Sequence, residues 1–123
     1  MHLYGIDHIQ LAMPTGQADR ATAFYEGALG IPRTPKPAHL EKRGGCWFEN
    51  GAVKIHLGVD PQFRPATKAH PALLIDSLKQ LIVALDNAGI PWHKDAPLDG
   101  YDRIYLADPF GNRIEVMERL PAA

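Results

Sequence analysis

Gly30-Ile31-Pro32 recurs as Gly89-Ile90-Pro91, and the residues around each copy follow the same order. Each stretch reads strand, helix, strand, strand, strand, with glycine and proline closing the helix in both. The spacing of about 60 residues is too long for a solenoid repeat and suits a duplicated supersecondary unit. His8 opens the first strand of one half as His70 opens that of the other. Ile55-His56-Leu57 aligns with Ile114-Glu115-Val116 in the last strands. A βαβββ unit buries one face of its sheet under its helix and leaves the other face to meet something else, most simply the face of the second unit. The expected class is therefore α+β, in a single domain over residues 1–123. Its first module is placed at about 1–59, a linker at 60–69 and the second module at about 70–118.

Periodicity places the elements. Ile9, Leu11 and Met13 alternate with His8, Gln10 and Ala12, as in a half-buried strand. From about Asp19 to Leu29 the period changes, and Ala21, Phe24, Tyr25 and Ala28 form one helical stripe. Residues 33–44 read as a poor edge strand or loop. Cys46 to Glu49 and Val53 to Val59 read as a hairpin around Asn50-Gly51. Two prolines mark 60–69 as a linker, and His70 to Ile75 reads as a short strand. Ser77 and Gln80 fit a capping box for a helix carrying Leu78, Leu81, Ile82 and Leu85. Pro91 to Lys94 fits a short edge strand. Tyr101 to Ala107 and Asn112 to Met117 form a last hairpin around Asp108-Pro109-Phe110-Gly111.

Charge and composition exclude several function classes. Thirteen Lys and Arg against fourteen Asp and Glu leave a formal charge of -1, without the basic patch that nucleic acid or an anionic membrane requires. One cysteine, Cys46, excludes an intrachain disulfide framework and a Cys-rich zinc site, and it reads as a small buried residue. No apolar run is long enough to span a bilayer, and the first residues lack the apolar core of a signal peptide. A soluble, cytoplasmic protein is expected, with a small molecule as its partner.

Strand alternation assigns the polar residues to a face. With Ile9, Leu11, Met13, Ile55, Leu57, Ile104, Leu106, Ile114 and Val116 toward the helices, His8, Gln10, His56, Arg103, Tyr105, Arg113 and Glu115 point the other way. His70 joins them by the repeat. If the two sheets curl toward a shared axis, His8, His56, His70 and Glu115 converge. Three imidazoles and a carboxylate form a set that can hold a divalent first-row metal. A lone strand histidine is more often a surface or hydrogen-bonded one, and it is the repeat symmetry that lifts the joint reading. His2, His39 and His93 read as solvent-exposed.

The segments Gly5-Ile6-Asp7-His8-Ile9-Gln10-Leu11-Ala12, Phe24-Tyr25-Glu26-Gly27-Ala28-Leu29-Gly30-Ile31 and Asp108-Pro109-Phe110-Gly111-Asn112-Arg113-Ile114-Glu115 resemble the vicinal oxygen chelate superfamily. That superfamily includes glyoxalase I, extradiol dioxygenases, fosfomycin-modifying enzymes and bleomycin-binding proteins. The resemblance spans nearly the whole chain. It implies paired βαβββ modules forming a cupped, U-shaped mixed sheet, helices on its outer face, around one divalent ion, commonly in a homodimer. It also implies that His8, His70 and Glu115 match the usual His, His and Glu ligands. His56 falls at a fourth position where glyoxalase I enzymes typically carry glutamate, so charge and proton-transfer geometry differ here. Three neutral imidazoles and one carboxylate around a divalent ion keep a net +1 charge, which favours an anionic or enolate-like ligand. Donor softness does not separate Fe(II), Mn(II), Ni(II) and Zn(II) at such a set.

Glu115 is the only carboxylate of the four and doubles as the candidate base; its plain alternative is a cross-strand partner for Lys54 or Arg113. Tyr105 resembles a substrate-contacting tyrosine of fosfomycin-modifying relatives, the alternative being core packing with a satisfied hydroxyl. Arg103 reads either as an anion clamp or, favoured, as a solvated surface arginine. Gln10 would stand beside the metal and orient a water or ligand. Trp47 and Phe48 supply aromatic wall without a defined face, and Arg64 reads as a solvated linker charge. The function implied is a metal-dependent lyase, isomerase or dioxygenase whose substrate chelates the ion through adjacent oxygens, passing through an enolate- or catecholate-like intermediate. The alternative is a metal-free, stoichiometric drug-binding protein of the bleomycin-resistance type.

Overall fold

The computed structural model describes residues 1–122, which form two compact units, one over Met1–Arg64 and one that starts at Pro65. The first unit contains β1 (Ile9–Met13), α1 (Ala18–Thr22), β2 (Arg33–Thr34), β3 (Cys46–Asn50) and β4 (Val53–Val59). Its sheet runs β1-β4-β3-β2, with β1 parallel to β4 and the other pairs antiparallel. The second unit contains β5 (Ala72–Leu74), α2 (Leu78–Asn87), β6 (Trp92–His93), β7 (Tyr101–Ala107) and β8 (Arg113–Arg119). Its sheet runs β5-β8-β7-β6, with β5 parallel to β8 and the rest antiparallel. The same strand order and the same single parallel pair appear twice, as the repeat requires. Gly30 and Gly89 close the two helical segments at φ +73° and +69°, a backbone region that side chains with a Cβ disfavour. Among the described residues, no helix is long and apolar enough to cross a membrane.

In the first unit Leu11, Met13, Ile55 and Leu57 are buried together with Ala21, Phe24, Tyr25 and Phe48. Phe48 stacks on Tyr25 with ring centroids 5.3 Å apart, which settles its side of β3. The first helix departs from the expected α-helix over Asp19 to Leu29. After α1 the chain widens into a π-helical turn, Ala23–Ala28, where the Leu29 N–H donates to the Phe24 carbonyl five residues back. Within that turn Phe24 and Tyr25 are both buried, as their shared stripe requires. Residues 33–44 resolve into β2 and a 3-10 helix over Ala38–Arg43. Cys46 is a free, buried thiol whose pKa burial pushes up.

In the second unit Ile104, Leu106, Ile114 and Val116 are buried with Leu78, Leu81 and Leu85 of α2. Ser77 Oγ accepts from the Gln80 N–H, capping the first turn. The expected strand from His70 to Ile75 is shorter, Ala72–Leu74, because Pro71 has no N–H to continue a ladder. His70 therefore stands just before the strand rather than in it. His8 likewise precedes β1, whose ladder starts with Ile9 opposite Ile55.

The turn before β8 is held by a buried polar network. Asp108 Oδ1 accepts from the backbone N–H groups of Phe110 and Asn112, each at 2.9 Å. Asn112 Nδ2 donates to Asp108 Oδ2 at 2.9 Å, and its Oδ1 accepts from the Ala66 N–H at 3.0 Å. The turn thereby sets the register of β8 and the height of Glu115. Asp108→Ala strips the partners from buried donors and is expected to cost about 2–4 kcal/mol by that mechanism. Urea denaturation of the variant measures it.

Candidate functional site

Parallel pairing of β5 with β8 puts Ala72 opposite Glu115, and the Glu115 N–H donates to the Pro71 carbonyl at 3.0 Å. That register brings His70 to Glu115 although 45 positions separate them: Nε2 of the imidazole lies 2.9 Å from Oε1 of the carboxylate. His70 Nδ1 lies 2.8 Å from the Lys68 carbonyl. A carbonyl only accepts, so Nδ1 donates there, and Nε2, which faces a carboxylate, donates to Glu115; a metal on Nε2 would take the place of that proton. An Nδ1–H tied to a backbone carbonyl is a common outer support of a metal-ligating histidine.

Glu115 is buried, with a side chain 7% exposed. Its second oxygen accepts from Arg103 NH1 at 3.0 Å. Burial pushes its pKa up, but the hydrogen bonds from Arg103 and His70 outweigh this and hold the carboxyl below its ordinary value of 4.5. The cross-strand partners Lys54 and Arg113 are thus replaced by Arg103 and His70. Arg103 is not a solvated surface arginine: its side chain is 18% exposed, and NH1 also donates to the Tyr105 hydroxyl at 2.8 Å while NH2 donates to the Ala96 carbonyl. Its Nε is buried without a hydrogen-bond partner. Tyr105 is buried with its hydroxyl satisfied. The Arg113 guanidinium lies 4.1 Å from its ring centroid, and the His93 ring stacks alongside at 5.8 Å. His93, expected in solvent, is exposed yet forms this aromatic contact.

In the first unit His8 Nδ1 lies 2.9 Å from Asp7 Oδ2, and Lys54 Nζ lies 3.5 Å from Asp7 Oδ1. These contacts lower the Asp7 pKa, the hydrogen bond to His8 most. His8 Nε2 has no hydrogen bond among the described residues. The His56 ring stacks on that of His8 with centroids 4.2 Å apart and planes at 22°. On the other side it stacks on the Trp47 indole at 4.0 Å and 5°. His56 Nε2 lies 2.7 Å from Glu49 Oε2. Gln10, opposite His56 in the ladder, lays its amide over Gly58, where a Cβ would come within 2.6 Å of Nε2.

The structure thus brings together His8 with His56, and His70 with Glu115, Arg103 and Tyr105. Among the described residues, no three His, Cys, Asp or Glu side chains stand close enough together to hold an ion. Arg64 is exposed, as expected of a linker charge. Glu49 and the side taken by Trp47 escaped the sequence reading, yet Asn50-Gly51 implies both. A two-residue turn there pairs Trp47 with His56 and sets Glu49 on the same face, diagonal to it.

The family model described as Glyoxalase/Bleomycin resistance protein/Dioxygenase superfamily matches residues 5–116. A glyoxalase family protein from Bacillus anthracis is 43% identical, with a TM-score of 0.93 over 98% of each chain. A glyoxalase/dioxygenase from Nostoc punctiforme has a TM-score of 0.77 at 18% identity, covering 95% of this chain and 92% of its own. The fosfomycin resistance protein FosX from Listeria monocytogenes has a TM-score of 0.75 at 17% identity, covering 97% of this chain and 96% of its own. At such identities these last two show the fold alone. No curated protein matches the chain.

Proposed function

We propose that this chain, which belongs to the Glyoxalase/Bleomycin resistance protein/Dioxygenase superfamily, is a divalent-metal-dependent enzyme acting on a small molecule with two adjacent oxygens. The carrying observation is the His70–Glu115 pair. Its nitrogen and oxygen are 2.9 Å apart, about the separation of two neighbouring ligands each roughly 2.1 Å from one ion. The imidazole is oriented by the Lys68 carbonyl, and the carboxyl is kept ionised by Arg103 and His70. His8, which the family resemblance pairs with these two as a ligand, makes no hydrogen bond through Nε2 among the described residues. A divalent ion bound to this set would act as a Lewis acid on the substrate's oxygens.

The protein's own residues then divide the remaining work. Arg103 holds Glu115 with one nitrogen and the Tyr105 hydroxyl with the same one, so an anionic group on the substrate would meet a guanidinium already fixed in place. Tyr105 offers that substrate a phenol pinned by Arg113 and His93. Glu115, released from Arg103, is the carboxylate able to take a proton from a carbon or oxygen acid beside it. Gln10 would orient a water or a substrate oxygen.

Adding Fe(II), Mn(II), Ni(II) or Zn(II) under argon to chelator-treated protein is expected to raise its melting temperature. No shift with any of the four would favour the drug-binding alternative instead. Oxygen uptake with catechols after Fe(II) loading would assign dioxygenase chemistry, and oxygen-independent turnover of methylglyoxal with glutathione would assign glyoxalase chemistry. A homodimer belongs to the same reading. The strands β1 and β5 lie at the edges of their sheets, and Met1, Leu3, Tyr4 and Ile6 expose large apolar side chains. Sedimentation is expected to give twice the chain mass of 13.6 kDa; the single-chain mass would refute it.

A further inference from the structure

We infer that the second unit carries a binding cavity for a small aromatic carboxylate, with Arg113 as the residue that takes the carboxylate. The inference goes beyond the metal-binding reading above and does not depend on it. The cavity has a volume of about 780 Å³, within the range that accommodates small organic ligands. Its walls include Pro91, Trp92, His93, Leu106 and Arg113, and every lining residue belongs to the unit that starts at Pro65.

The local sequence explains why a space is left there. Trp92 pairs with Leu106 and His93 with Tyr105. The next pair would set Pro91 against Ala107, but proline has no N–H with which to extend the ladder. Ala107 offers only a methyl group and Gly111 no side chain, so neither fills the gap. The Trp92 indole is held in place by its Nε1–H, which donates to Asp86 Oδ1 at 2.8 Å. That wall is therefore ordered before a ligand arrives, and binding costs less for it. Pro91, Trp92 and Leu106 together offer the flat apolar surface that suits an aromatic ring.

Two formally charged side chains border the cavity, and only one has donors or acceptors to spare. Asp108 is committed to its turn, with Oδ1 accepting from the Phe110 and Asn112 N–H groups and Oδ2 from the Asn112 amide. The Arg113 guanidinium rests on the Tyr105 ring, 4.1 Å from its centroid, and Asp95 Oδ2 is 3.9 Å away, beyond hydrogen-bond distance. Its side chain is only 27% exposed, yet among the described residues it makes no hydrogen bond. A guanidinium carries five N–H donors in a planar fork that matches a carboxylate. The cation-π contact with Tyr105 fixes the plane of that fork. An anion of matching geometry is what this group lacks, and the exposed, distant Asp95 competes with it weakly.

Naphthalene carboxylate and its uncharged amide are the probes, titrated by NMR into the full-length protein without added metal. The Trp92 indole N–H and the His93 ring signals report on the cavity. The carboxylate should shift both, and the amide should bind about 10-fold more weakly, since a charge-assisted pair becomes a neutral one. Arg113→Gln should bring the carboxylate down to the affinity of the amide and leave the amide as in wild type. Ala107→Leu, which puts a larger side chain into the cavity, should weaken both probes. Equal affinity of the two probes for wild type would overturn the inference, and that comparison needs no variant to fold. So would an unchanged carboxylate affinity in Arg113→Gln, unchanged binding of both probes in Ala107→Leu, or the absence of Trp92 and His93 shifts up to millimolar probe. Whether a metal raises the melting temperature is a separate result that bears on the metal-binding reading alone.

Discussion

Glu115→Gln is expected to weaken divalent-metal binding by about 100-fold or more, since a charged ligand becomes a neutral amide. Calorimetric titration on chelator-treated protein measures it, and wild-type affinity would sink the assignment. The variant should also melt at a lower temperature near neutral pH, because Arg103 loses the carboxylate that NH1 meets at 3.0 Å. This departs from a purely functional residue, which could be neutralised at little structural cost. The pH dependence supplies a further check. The folded-state pKa of Glu115 lies below its ordinary value of 4.5, so its ionised form stabilises the fold fully above that value. The contribution is lost as the pH falls through the depressed folded value. Wild type should therefore lose stability in acid more steeply than Glu115→Gln, and the two stabilities should converge as the pH falls through that depressed value. Parallel curves across that range would show that Glu115 contributes nothing through its charge.

Gly45→Ala is expected to destabilise the first unit by about 4 kcal/mol, combining a disfavoured backbone with overpacking. Gly45 adopts φ +80°, and a Cβ built there would stand 2.0 Å from the Leu57 carbonyl oxygen. That oxygen belongs to β4, so relief requires moving a central strand and not a side-chain tip. The adjacent Cys46 pairs with Leu57 in the ladder, so the damage should spread to the register that places His56. Gly51→Ala is the control: its φ is +60° but nothing lies within 4 Å of the added carbon. It should cost only the backbone part, about 1–2 kcal/mol. Equal losses for the two variants in guanidinium denaturation would refute the steric argument.

Most of the strand and helix plan was legible in the chain because its signals are short-range. Alternation along β4 and β8 separates Ile55 and Leu57 from His56, and Ile114 and Val116 from Glu115. Burial follows the apolar set as expected. The exceptions are local competitions that periodicity does not register. Pro71 cuts β5 short of His70, and the first helix continues as a π-turn over Ala23–Ala28.

The candidate site divides along the same line. Residue types, the face they occupy and the turn that fixes Glu115 all follow from spacing within a few residues. So does the diagonal between Glu49 and His56, once Asn50-Gly51 sets the hairpin. The choice of partners does not follow. His70 meets Glu115 only because β5 lies parallel to β8 across 45 positions, and a parallel register is set by packing between distant segments rather than by any turn. Arg103 carries the same side chain whether it faces solvent or Glu115; it is the depth of β7 in the folded unit that withdraws it from water and commits it to the carboxylate. Periodicity and turn chemistry, being local, determined the two βαβββ units and the donor types on their open faces. Long-range register and burial, which no local pattern encodes, decided which donor each of those side chains meets.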